Sequence, residues 1–314
     1  MNDQRRFDAD SHYAIQETHP VADVDPIKRK FLNIAYGNLS PSQKLDIYLP
    51  DVDAGPFPVI VSIHGGAFMG CDKADEQLLP MLEGLARGYA VVSINYRLSW
   101  EATFPALVHD AKAAVRWIRA NADPYSFDPR RIAAWGGSAG GYLSSMLGLS
   151  SGISALEDLS LGNKNQADNV QVVVDWFGPT NFLKMDEQLA ANGLKPPERM
   201  EHNGANSPES LLLGRTITEI PDRVRAANPE TYIDERSAPT LIQHGTSDPI
   251  VPVQQSVEFA AKLKQSIGED NVILELLQGA GHGGPEFNAL ENINRILDFI
   301  DEHLNNAFEQ PRQG

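Results

Sequence analysis

The 314-residue sequence has a single cysteine, Cys71. No intramolecular disulfide can form, so the core alone must hold the fold, and a reducing compartment is the expected setting. Cations are also scarce: 26 Lys and Arg stand against 42 Asp and Glu, a formal charge of −16. A chain without a basic footprint is not expected to bind nucleic acid. Anionic membrane surfaces are disfavoured for the same reason. No apolar run approaches the ~20 residues that a membrane helix requires. Residues 1–20 are polar and charged, with no apolar stretch, so no signal peptide is expected and a cytoplasmic location is the default. His12, His19, His202 and His303 have no partner at metal-ligand spacing, and neither a metal nor a cofactor is expected. Internal repeats and low-complexity tracts are absent.

What is present is an ordinary globular composition, 42% hydrophobic and 22% charged, long enough to bury a large core. Residues 1–30 read as a polar lead-in with a short helix near its end. Phe31–Tyr36 and Lys44–Leu49 read as two strands joined by a turn at Gly37-Asn38 and Ser40-Pro41. Alternation in the second strand predicts one exposed face, as in an antiparallel edge hairpin. Continuous apolar runs at Val59–Ile63, Tyr89–Ile94, Ile132–Trp135 and Val170–Trp176 suit strands covered on both faces. Pro239–Gln243 and Asn271–Leu277 read as two more. Helical spacing marks Glu76–Arg87, Pro105–Asn121, Val253–Ile267 and Glu286–Leu304. Strands alternating with helices argue for a mostly parallel sheet wrapped on both faces. The exception is 180–236, polar and proline-rich, too long for a plain connection. It reads as an insertion that caps the site and builds much of its pocket.

The chemistry concentrates at Gly136-Gly137-Ser138-Ala139-Gly140. A Gly-x-Ser-x-Gly between a strand and a helix is a nucleophile elbow, whose turn lifts the serine hydroxyl above the sheet. A serine needs a base, and the base needs an orienting acid. In this context the acid and then the histidine follow the serine in the chain. The strand at Pro239–Gln243 leads to Asp248, and the strand at Asn271–Leu277 leads to Gly281-His282-Gly283-Gly284. Ser138, His282 and Asp248 are therefore the candidate nucleophile, base and acid. Oxyanion donors are expected at the backbone of Ala139 and of Gly65 and Gly66, in the His64-Gly65-Gly66-Ala67-Phe68 loop after an early strand. His64 is expected to hold that loop in shape.

Several residues carry plainer readings. His109 and Asp110 belong to a helix face, and His244 at a strand end reads as structural. Cys71 reads as a small buried hydrophobe. Asp175 and Asp234 are rival acids in less favourable loops. Phe68, Trp176 and Phe177 are candidate pocket residues, with simple packing as the alternative.

These stretches, with Asn95-Tyr96-Arg97-Leu98, Asp128-Pro129-Arg130-Arg131-Ile132 and Asp175-Trp176-Phe177-Gly178-Pro179-Thr180, resemble the α/β-hydrolase superfamily. Within it the chain is most similar to the feruloyl-esterase-like group called BD-FAE, related to the hormone-sensitive-lipase type. The resemblance runs from about Lys44 to the C-terminus. It departs at Ala67, where the lipase type usually has a third glycine. It implies a mostly parallel sheet of about eight strands with helices on both faces, antiparallel N-terminal strands and a small cap, in one domain over 31–314. It further implies a serine carboxylesterase acting on small esters, with feruloyl and acetyl esters as plausible substrates. An amidase, formamidase or peptidase on the same residues is one alternative. A catalytically inactive small-molecule receptor is another. A homodimer is compatible with the sequence.

Overall fold

The computed structural model describes residues 20–52, 55–196 and 201–309, with side chains to 305. Eight strands form one sheet: β1 (Lys30–Ala35), β2 (Lys44–Tyr48), β3 (Phe57–Ile63), β4 (Ala90–Ile94), β5 (Phe127–Gly137), β6 (Val172–Trp176), β7 (Thr240–Gly245) and β8 (Val272–Leu277). Their spatial order is β1-β2-β4-β3-β5-β6-β7-β8. The first two pairings, β1 with β2 and β2 with β4, are antiparallel, and every later pairing is parallel. This is an α/β-hydrolase fold.

Successive strand residues face opposite sides, and the two cores follow that alternation. Val59, Val61 and Ile63 of β3 pack with Leu107, Ala111 and Val115 of the Ala106–Ala120 helix and with Leu143 and Leu147 of the Ala139–Leu149 helix. Ile60, between them, packs on the other face with Ile296, Leu297 and Ile300 of the Leu290–Glu309 helix. The Gln254–Ile267 helix covers the far end of the sheet, burying Phe259 and Leu263 against Ile242 and Val272. Both faces are thus apolar, which explains why the central strands read as unbroken hydrophobic runs.

Four expectations are corrected. First, β2 has no exposed face: Asp46 and Tyr48 are as buried as Leu45 and Ile47. The buried Lys73 ammonium lies 2.8 Å from Asp46 Oδ2, and the Asn33 amide donates to Oδ1 at 2.6 Å. The polar side of the alternation meets a fixed cation instead of water. Second, residues 20–29 form no helix; Val21 bridges Asp75 and the Ala22 amide donates to the Ala74 carbonyl at 2.8 Å. The rest of the lead-in reading, for 1–19, lies outside the described residues. Third, Glu76–Arg87 is three short turns, Glu76–Leu78, Leu79–Leu82 and Glu83–Arg87, ended as expected by Gly88 at φ 83°. Fourth, the last helix is interrupted: Pro285–Asn288 is separated from Leu290–Glu309 by Ala289 in an extended conformation.

The insertion contains the short helices Met185–Ala191, Pro208–Leu213 and Pro221–Ala227. Its apolar residues, among them Phe182, Met185, Leu213 and Val224, join the same core as Tyr142 and Leu147. It therefore extends the main core rather than forming a separate layer.

The Asp46–Lys73 pair tests the burial of β2. Removing one partner leaves the other charge buried and uncompensated. Lys73→Met is expected to destabilise the fold by about 3–5 kcal/mol in denaturant titration. Lys28→Met, which breaks an exposed pair with Asp51, is expected to change stability little.

Candidate active site

At the end of β5 the chain turns sharply into the Ala139–Leu149 helix, with Ser138 at φ 57° and ψ −119°. This left-handed φ is unfavourable for a residue with a Cβ. The turn is held from outside: the Ser138 amide donates to the Trp176 carbonyl at 2.8 Å, and the Tyr142 amide donates to the Ser138 carbonyl at 3.0 Å. The helix also presses against the end of β3. A Cβ on Gly140 would lie 2.0 Å from the Ile63 carbonyl oxygen, a backbone atom that cannot yield.

The Asp248 and His282 loops leave the adjacent parallel strands β7 and β8, and they are tied together. The Ser247 amide donates to the Ala280 carbonyl at 2.9 Å, and the Gly279 amide donates to Thr246 Oγ1 at 2.9 Å. A Cβ on Gly245 would meet the Ala280 and Gly281 carbonyl oxygens at 2.3 Å. Across this junction His282 Nδ1 lies 2.7 Å from Asp248 Oδ2. The other carboxylate oxygen accepts from the amides of Ile250 (2.8 Å) and Val251 (3.0 Å). Burial pushes the Asp248 carboxyl up, but the adjacent His282 and His244 outweigh it and hold it well below the usual carboxylate range.

The rival acids are occupied elsewhere. Asp175 is fully buried, accepting from Ser145 Oγ and the Gly178 amide, each at 2.8 Å. Its burial pushes its pKa up. Asp234 pairs with Arg236 near the surface.

His64 Nδ1–H donates to the Gly65 carbonyl at 2.8 Å, its ring stacked 4.5 Å from Tyr96, whose hydroxyl donates to the His64 carbonyl at 2.9 Å. Burial lowers its pKa. The ring braces the loop, as expected. The Gly65 amide, however, already donates to Gln77 Oε1 at 2.9 Å. That removes Gly65 from the expected pair of free donors. The next residues, Gly66 and Ala67, both line the site cavity, with φ of 103° and 52°.

That cavity has a volume of about 750 Å³ and contains Ser138 and His282 in its wall, with Trp176, Phe177 and Phe287. The Phe177 ring lies 4.6 Å from the His282 ring. No hydrogen bond joins Ser138 Oγ to His282 Nε2 among the described residues; such contacts often tighten only when substrate is bound. Two pocket expectations are corrected. Phe68 does not reach the cavity: it is buried edge-on to Tyr142 at 5.2 Å. Nor do the described residues of 180–236 line it. Their apolar side chains are spent on the core beneath Phe68.

A family model, BD-FAE, matches residues 45–263. The chain belongs to the BD-FAE family. Among proteins similar to this BD-FAE member are the probable carboxylic ester hydrolase LipM and the esterase LipC of Mycobacterium tuberculosis (strain ATCC 25618 / H37Rv). LipM is 32% identical over 78% of this chain and 54% of its own length. LipC is 30% identical over 80% of this chain and 59% of its own length. The chain thus spans little more than half the length of these relatives. A solved structure described as a truncated form of carbohydrate esterase from gut microbiota superposes with a TM-score of 0.79. It is 30% identical and covers 91% of this chain and 99% of its own.

Sequence reasoning missed two residues around the site, Gln77 and His202, and read a third, His244, correctly as structural. Gln77 holds the Gly65 amide from twelve positions away, with no motif to mark it. His244, read as structural, accepts from Ser256 Oγ at 2.6 Å through Nδ1. Its Nε2–H donates to the Val251 carbonyl at 2.8 Å and lies 3.3 Å from Asp248 Oδ2. His202, from the insertion, donates to the Ile250 carbonyl at 2.9 Å, with Glu209 3.1 Å from its other nitrogen. Burial opposes charge on His202, but Glu209 raises its pKa. Among the described residues the insertion supports the site from behind, with His202 bracing the Asp248 loop and Phe182 packed against Phe68.

The Asp248 shift has a defined sign in stability. Its folded pKa lies below its unfolded value near 4. Its contribution is complete above that unfolded value and is lost as pH falls through the folded one. Stability measured by denaturant between pH 5 and pH 2 is expected to fall less steeply in Asp248→Asn than in the parent.

Proposed function

We propose that this chain hydrolyses carboxylic esters through an acyl-enzyme on Ser138. The observation that carries the proposal is the 2.7 Å Asp248–His282 pair, opening on the same cavity as a serine held in a strained strand-to-helix turn. In this reading Ser138 Oγ attacks the ester carbonyl and His282 Nε2 takes its proton. Asp248 keeps the Nδ1 proton in place and stabilises the imidazolium. Amides of Ala139 and Gly66 donate to the oxyanion. Ala67 takes the place first assigned to Gly65, because the Gly65 amide is engaged by Gln77. The acyl–oxygen bond breaks and the alcohol leaves with the proton from His282. Water, deprotonated by His282, then releases the carboxylic acid and restores Ser138.

The names of the mycobacterial relatives support ester hydrolysis. The likeness to a carbohydrate esterase supports acyl groups carried on sugars, acetyl or feruloyl, as the substrate class. Trp176, Phe177 and Phe287 supply an apolar wall for a small acyl or aromatic group.

Ser138→Ala is expected to lower kcat/KM on 4-nitrophenyl acetate by at least about 10³-fold. A fluorophosphonate probe is expected to add its mass to the parent protein at the peptide containing Ser138 and not to the variant. Turnover that survives the substitution near the parent rate would overturn the assignment.

A further inference from the structure

We propose that Glu76 and Glu83 make the cavity a charge filter. It accepts neutral or cationic esters and rejects those bearing a free carboxylate or phosphate near the scissile bond. The inference rests on the reading of Ser138 as an ester-hydrolysing nucleophile and specifies what that site takes.

Both glutamates are exposed, and both line the cavity that holds Ser138 and His282. No lysine or arginine lines it, and neither carboxylate has an ion-pair partner among the described residues. Two negative charges therefore face the substrate uncompensated. Asp248 is buried behind His282 and already paired with it. An anionic substrate entering here gives up water to sit beside like charges with no counter-cation. A neutral ester meets no such barrier. A cationic one is attracted by the carboxylates and can rest on the ring faces of Trp176 and Phe177.

The placement of these charges is built in. Glu76 opens the Glu76–Leu78 turn and Glu83 opens the Glu83–Arg87 turn, in the short helical stretch that also carries Gln77. Between them Leu78 and Met81 are anchored in the core with Ile60, Val91 and Leu297. The stretch cannot swing away without pulling those residues out of the core and breaking the Gln77 bond to Gly65. The filter is therefore coupled to the element that holds the loop around the serine. The overall charge of −16 acts in the same direction at longer range.

The test compares kcat/KM in two matched series. One varies the alcohol of an acetate: choline, its neutral isostere 3,3-dimethylbutanol, and 4-hydroxybutanoate. The other compares the 4-nitrophenyl ester of hexanoic acid with the 4-nitrophenyl half-ester of adipic acid. In at least one series the anionic ester is expected to run at least about tenfold below the neutral one at low ionic strength. The gap is expected to shrink to about twofold at 0.5 M salt. It is expected to narrow likewise in Glu76→Gln/Glu83→Gln, whose folding is checked by circular dichroism. Anionic and neutral esters within about twofold in both series at low salt, or a gap untouched by the double substitution, would overturn the filter and leave ester hydrolysis standing. No turnover of any ester would overturn the hydrolase reading and the filter together.

Discussion

The constraint on which the rest depends is the backbone crowding where β5 turns into the helix after Ser138. The helix start lies so close to the end of β3 that Gly140 touches the Ile63 carbonyl with no space for a side chain. That proximity aims the serine at the loop following β3, whose Gly66 and Ala67 share its cavity. A left-handed serine persists only because the parallel pairings of β5 with β3 and β6, and the amide bond to Trp176, hold the turn from outside. The proposed nucleophile is thus positioned by the sheet more than by its own loop.

Around this turn the fold uses one device repeatedly: loops leaving neighbouring parallel strands are cross-linked by backbone hydrogen bonds. The Asp248 and His282 loops, 34 residues apart in the chain, are joined in this way before their side chains meet. His244 and His202 brace the acid's loop from two directions, one from β7 and one from the insertion. Gln77 braces the loop after β3. In the proposed mechanism the acid and the oxyanion loop are therefore held by residues outside the reacting set, which is what preorganised electrostatic catalysis needs.

Much of this was legible beforehand, and the reason is local. A strand covered on both faces reads as an apolar run, and β3, β4, β5 and β6 were found so. A strained turn requires small neighbours, and the glycines around Ser138 announce it. The two candidates follow in order after two strands, so the Asp248–His282 pair that the structure brings within 2.7 Å could be named. What failed were two statements about which surface covers which. The alternation in β2 was real, but Lys73 fills the place assumed for water. The apolar residues of 180–236 were visible, but whether they roof a cavity or thicken a core depends on where Phe68 and Tyr142 lie. Gln77 sits in a stretch of short turns, broken near Pro80, whose register cannot be read from a helical pattern.

The sequence by itself determined the order of elements, the strained turn and the residue types available for chemistry. These depend on backbone sterics and on hydrophobic period, both written in neighbouring residues. Only the tertiary structure decided which amides remain free beside Ser138, which aromatics face the cavity, and that two exposed glutamates stand at its wall without a cation. Those are properties of contacts between segments far apart in the chain. They depend on which partner reaches a group first, and no local pattern carries that information.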